Sequence, residues 1–139
     1  MSYTIKQVSD MMGISVSTLR YYDKEGLLPF IERKENGSRV FKDEDLKSLE
    51  IILCMKSSGA PIKDIKRYMD MCLEGDSTLK DRLEIFLNRR EVVKEQMKEL
   101  NKIMSVLEYK INYYEKAIQY GTEEIHKKKI WFKSNIKRR

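Results

Sequence analysis

Tyr3–Thr4–Ile5 running to Ser15–Val16–Ser17–Thr18–Leu19–Arg20–Tyr21–Tyr22–Asp23, then Arg33–Lys34–Glu35–Asn36–Gly37–Ser38–Arg39–Val40–Phe41, decides the fold. Thr4 is placed to cap a helix over Ile5 to Met12, with Gln7 three residues on completing a capping box. Gly13 suits the left-handed residue that ends such a helix. Ser15 caps a second helix over Val16 to Glu25, and Gly26 stops it. Val16, Leu19 and one of Tyr21 or Tyr22 point inward, which leaves Ser17, Thr18, Arg20 and the other tyrosine outside. Asn36–Gly37 between Ile31–Lys34 and Arg39–Phe41 predicts a hairpin with a type I′ turn, in which both central residues need positive φ. Its tip carries Arg33, Lys34 and Arg39. Two short helices and a basic ribbon make a winged helix-turn-helix, a shape that fits a DNA groove.

Working outward, a third helix is expected from about Asp43 to Gly59, striped by Leu46, Leu49, Ile52, Leu53 and Met55. Pro61 opens a fourth helix to about Cys72, with Ile62, Ile65, Met69 and Cys72 at helical spacing. Glu74–Gly75–Asp76–Ser77 reads as a linker. Beyond it, Leu79, Leu83, Phe86, Arg90, Val93, Met97, Leu100, Met104, Leu107, Ile111, Tyr114 and Ile118 recur four and three apart, a heptad seam broken only by Arg90. Such a helix is roughly 60 Å long and cannot hide its stripe within this chain. A second copy can, through an antiparallel two-helix coil, which predicts a homodimer. Gly121 is expected to end the helix.

The expected fold is mainly α: an N-terminal winged helix-turn-helix DNA-binding domain with a small β-hairpin wing, over residues 1–76, then a long antiparallel coiled-coil dimerisation helix over 77–120. A basic and aromatic tail over 121–139 is either disordered or a short docking helix. Its Lys127–Lys128–Lys129, Ile130–Trp131–Phe132 and Lys137–Arg138–Arg139 could cover a sensing pocket, touch DNA or do neither.

Composition sets limits. The chain has 139 residues, long enough for one domain of ordinary size. Its net charge of +6 is unevenly placed. Met1 to Asp76 carries 12 Lys and Arg against 13 Asp and Glu, whereas Ser77 to Arg139 carries 16 against 9. Bulk charge therefore does not argue that the first half binds DNA; only clustering on one face can. No apolar run approaches a membrane span, and Met1–Ser2–Tyr3 lacks the order of a secretory signal, which predicts a soluble cytoplasmic protein. Two cysteines are too few for a disulfide scaffold.

Tyr3–Thr4–Ile5, Thr18–Leu19–Arg20–Tyr21–Tyr22–Asp23, Gly26–Leu27, Asn36–Gly37–Ser38–Arg39, Asp45–Leu46 and Ser58–Gly59, in this order, resemble the MerR family of bacterial transcription regulators. The resemblance covers about residues 2 to 72, and the long helix is similar to the family's dimerisation helix. One departure is Lys42, where the family often has a capping serine; Asp43 is the expected substitute, which would start the third helix a residue late. The resemblance implies a dimer on a two-fold promoter site, each second helix in a major groove and each wing on the flanking backbone. It implies that the promoter is bent and untwisted, so that RNA polymerase is affected indirectly through promoter DNA. Cys54 within Ile51–Ile52–Leu53–Cys54–Met55–Lys56, with the later Cys72, is similar to the thiol-dependent (NmlR/AdhR-like) branch, which answers aldehyde and nitrosative stress. There the position matching Cys54 is the sensor.

The candidate DNA contacts are thus Ser15, Ser17, Thr18, Arg20, Tyr21, Tyr22, Arg33, Lys34 and Arg39. For each the plain alternative is a capping hydroxyl, a core ring or a solvated charge. A cysteine in an apolar helical run is most often an inert hydrophobe, and a reactive one needs exposure and activation. Lys56 points about 200° away from Cys54 on the helix, so activation must come from elsewhere. Cys72 reads as core. His126 is the only histidine, so no metal site is expected, and no cofactor. No nucleophile–base pair, carboxylate pair or phosphate loop marks an enzyme. Two alternatives stay open: a DNA-binding repressor or regulator without thiol sensing, and a coiled-coil scaffold that does not bind DNA.

Overall fold

The computed structural model describes residues 1–127. Among the described residues the elements follow in the order β1 (Ser2–Tyr3), α1 (Ile5–Met12), α2 (Val16–Lys24), β2 (Glu32–Arg33), β3 (Arg39–Lys42), α3 (Asp43–Ser57), α4 (Ile62–Glu74), a 3₁₀ turn (Asp76–Thr78) and α5 (Leu79–Tyr120).

The helix caps form as their residues dictate. Thr4 accepts from the Gln7 N–H at 3.1 Å while the Gln7 side chain accepts from the Thr4 N–H at 2.9 Å. Ser15 accepts from the Thr18 N–H at 3.1 Å. At α3 the expectation of an Asp43 cap is corrected. The helix starts at Asp43, and Asp45 accepts from the Lys42 N–H at 2.8 Å. Asp43 instead accepts the Tyr3 hydroxyl at 2.7 Å, which holds its carboxyl below the usual aspartate range.

The wing is a three-stranded antiparallel sheet ordered β1–β3–β2, with Tyr3 opposite Phe41 and Arg33 opposite Arg39. The third strand answers the marginal stability of a lone hairpin. The turn is not type I′: Gly37 has φ 86°, but among the described residues none other than glycine has positive φ. Lys34 and Ser38 pair at 2.8 Å around three loop residues, and the Gly37 N–H returns to the Lys34 carbonyl at 2.9 Å. That is the three-residue hairpin closed by a left-handed glycine.

The core of this head is Val8, Leu19, Leu27, Phe41, Leu49, Ile52 and Ile65, all fully buried. Leu46 and Leu53 flank it, half buried. The first compact unit runs from Met1 to Val93. Ile85 and Phe86 of α5 pack against its core, and Phe86 meets Tyr68 edge to face at 5.0 Å. Phe86 thus fits the heptad spacing but serves the head. The expected linker at Glu74–Ser77 is tightly held. The Thr78 hydroxyl reaches the carbonyls of Met71 and Gly75, both at 2.8 Å, and Arg82 binds Thr78 and Gly75.

The second compact unit begins at Lys94. Here Met97, Leu100, Met104, Leu107, Ile111, Tyr114 and Ile118 stand exposed, as do Leu79, Leu83 and Val93 earlier in α5. Gly121 ends the helix with φ 73°. Residues 128–139, Trp131 and Phe132 among them, lie outside the described residues.

Candidate nucleic-acid interface

The outward face of α2 carries Ser17, Arg20 and Tyr21. The structure settles which tyrosine faces inward: Tyr22 is 6% exposed and Tyr21 45%. Tyr22 is therefore corrected from a DNA-contact candidate to a core ring, whose hydroxyl burial pushes its pKa up. The two rings meet edge to face at 6.2 Å, so the buried one orients the exposed one. Ser15 and Thr18 share a hydroxyl–hydroxyl bond of 2.7 Å, and Ser15 also meets the Ser17 hydroxyl at 3.1 Å. These three hydroxyls form one cluster at the start of α2.

The wing arginines are not simple solvated charges. Arg33 Nη2 and Arg39 Nε both donate to the same Asp23 oxygen, each at 2.7 Å. Asp23 lies in the last turn of α2, so its carboxylate ties the wing to that helix. The Arg39 side chain is only 18% exposed, half-buried beside Asp23, whereas Arg33 stands well out. Lys34 is exposed at the turn. No local spacing announces this bridge, since its partners are 10 and 16 residues apart.

One neighbour was missed from sequence. A groove of about 390 Å³ beside α2 is lined by Ser17, Thr18, Tyr21, Tyr22, Lys56 and Ile62. Lys56 therefore adds a positive charge next to the outward face of α2. Its only sequence signal is its place in the last turn of α3.

Cys54 is exposed, and its carbonyl accepts the Ser58 N–H at 3.0 Å. Cys72 is half buried rather than core. It lines a cavity of about 350 Å³ with Phe30, Ile51, Tyr68 and Met69. The Tyr68 hydroxyl is pushed up to about 12, first by burial and then by its hydrogen bond with Cys72. Among the described residues no three His, Cys, Asp or Glu side chains are grouped to hold a metal ion. No described helix is long and apolar enough to cross a membrane.

A helix-turn-helix whose second helix stands out beside a basic wing defines a DNA-binding transcription regulator. The model for MerR HTH family regulatory proteins matches residues 3–72. An HTH-type transcriptional regulator of Haemophilus influenzae is 44% identical over 88% of this chain and 90% of its own length. The regulator AdhR of Bacillus subtilis is 38% identical over 63% of this chain and 62% of its own. Among solved structures, HiNmlR, a MerR family regulator lacking the sensor domain and bound to promoter DNA, has 43% identity and a TM-score of 0.79, over 90% of this chain and 99% of that one. The chain belongs to the MerR family. Its relatives are transcription regulators, not enzymes.

Proposed function

We propose that this regulator works as a homodimer that grips a two-fold promoter site, bends and untwists it, and acts on RNA polymerase through the DNA alone. Residues 1–76 hold the reading elements, 77–120 the pairing helix and 121–139 the tail. The observation that carries the reading is the outward set on α2, Ser17, Arg20 and Tyr21, beside a wing fastened to that helix through Asp23. HiNmlR, similar in fold and sequence, is bound to promoter DNA. In this reading Ser17 and Thr18 meet base edges, while Ser15, Arg20, Tyr21, Arg33, Lys34 and Arg39 meet phosphates. The exposed apolar seam of α5 supports pairing, because a stripe of this length costs free energy in water until a second copy covers it. A regulator of this kind operates in the cytoplasm, where its promoter is.

The signal we assign is a reactive electrophile, an aldehyde or nitrosating species, at Cys54. Exposure of the thiol and its place one turn before the α3–α5 joint support this. Similarity to AdhR and HiNmlR favours it over a regulator without a thiol switch. Modification would repack α3 and change which promoter shape the dimer favours.

Two measurements test this. Affinity for the promoter duplex should fall steeply with salt, and Arg20→Ala should lower the slope of log K against log salt by about one. Little binding at any salt would leave only the scaffold reading. Promoter transcription with Cys54→Ser should lose the aldehyde response; a full response would remove the thiol mechanism while leaving DNA binding intact.

A further inference from the structure

The cavity of about 350 Å³ in the head lies between α3, α4 and the segment behind α2, and shares no residue with the groove beside the outward face of α2. Ser48 and Ile51 stand one turn apart on α3, and Tyr68 and Cys72 one turn apart on α4, so two helix faces enclose it together with Phe30. Its volume is at the small end for ligand sites, room for one ring and a short chain. Phe30, Ile51 and Met69 make most of the wall apolar, and the Tyr68 ring beside them is held edge to face by Phe86.

One carboxylate interrupts that wall. Asp45 lines the cavity although it is only 6% exposed. Its Oδ2 accepts the Lys42 N–H at 2.8 Å at the start of α3. Its Oδ1 has no hydrogen-bond partner among the described residues. No buried side-chain oxygen among them is sealed away without a partner, so Oδ1 opens on the cavity. Burial pushes this carboxyl above the usual aspartate range, ahead of the Lys42 bond that lowers it. Glu44 and Lys47, both exposed, offset each other at the rim, and the Lys42 ammonium is paired with Glu32 at 2.7 Å. Asp45 is thus the uncompensated charge of the lining. A buried carboxylate with a bare oxygen gains most from a cation that brings its own N–H donors, and aromatic walls suit a cation too.

We propose that this cavity binds a small amine with an aromatic or apolar body, its ammonium on Asp45 Oδ1 and its body against Phe30, Ile51 and Met69. Such an occupant touches α3, α4 and the segment behind α2 at once, which gives the head a ligand input of its own. The inference stands on the cavity and its carboxylate, and depends on neither the DNA-reading role nor Cys54.

Calorimetric titration of the full chain with phenethylamine tests this against 2-phenylethanol, which matches it in size and lacks the charge. The amine should bind about tenfold more tightly, the worth of one hydrogen bond to a charged group. Asp45→Asn keeps an oxygen for the Lys42 N–H but removes the charge, and should bring the amine down to the affinity of the alcohol. Ile51→Trp fills the cavity from its apolar wall and should weaken both ligands several-fold. Urea unfolding checks that each variant folds, and Ile51→Trp decides the matter if Asp45→Asn does not. Equal affinity for amine and alcohol in the unaltered chain overturns the proposal, as does an amine affinity that no folded variant changes. An absence of phenethylamine binding at millimolar concentrations overturns it as well.

Discussion

Arg89 grips Ser58 twice: Nε donates to the hydroxyl at 3.0 Å and Nη2 to the carbonyl at 2.8 Å. The Ser58 hydroxyl in turn donates to the Met55 carbonyl at 2.7 Å, and Ser58 caps α3, the helix that carries Cys54. One guanidinium therefore fastens α5 to the last turn of the thiol-bearing helix. Hydrogen bonds from a charged donor are worth more than neutral ones, so Arg89→Ala should lower stability by about 2 kcal/mol in urea unfolding. If Cys54 signals through this joint, the same variant should also blunt the aldehyde response of the promoter.

Asp23 holds the wing against α2. Asp23→Asn weakens both arginine bonds and removes a negative charge near the proposed DNA-reading surface. Binding to random duplex should strengthen or stay level, because repulsion from phosphate falls. Binding to the promoter should weaken, because the wing loses its register. The ratio of the two affinities, measured by anisotropy at one fixed salt concentration, should drop. A ratio that holds or rises would show that the bridge has no part in reading sequence.

Leu100 and Leu107 sit mid-seam and exposed. Leu100→Glu with Leu107→Glu places charges in the middle of the pairing surface. Sedimentation should then show monomer at concentrations where the unaltered chain is a dimer, and promoter affinity should fall by orders of magnitude because two linked heads bind far better than one.

Acid weakens the joint between β1 and α3. The Tyr3 hydroxyl lowers the pKa of Asp43 in the folded chain. A lowered carboxyl pKa adds stability above the group's ordinary value and loses it as pH falls through the folded value. Tyr3→Phe should be less stable than the unaltered chain at neutral pH, and the gap should close as Asp43 protonates. A gap that is constant across that range would assign the Tyr3 effect to packing alone.

What could be read from sequence was local. Thr4, Gln7, Gly13, Ser15 and Gly26 each act within a few residues of themselves, and the structure places their caps and stops as expected. Asn36–Gly37 gave the hairpin but not its turn, because only the glycine takes positive φ and the loop has three residues. The strand β1 was missed: two residues pair with Phe41 and Lys42, some forty positions away, and leave no periodic trace. Phe86 matched the seam by spacing, yet packing against Tyr68 claims it for the head. The Asp23 bridge, the Arg89 clasp and the place of Lys56 beside α2 depend on tertiary approach alone. The exposure of Cys54 was equally hidden, because it sits in an apolar run between half-buried Leu53 and buried Met55.

The shared carboxylate of Asp23 has one more effect. A guanidinium offers five donors, and each arginine turns one of them to Asp23. The other donors stay available while both long side chains are already held in one rotamer. Immobilising such a side chain costs up to about 2 kcal/mol. Here that loss falls during folding, so if the wing docks on nucleic acid as proposed it arrives preorganised, and the docking step itself is left with less disorder to surrender.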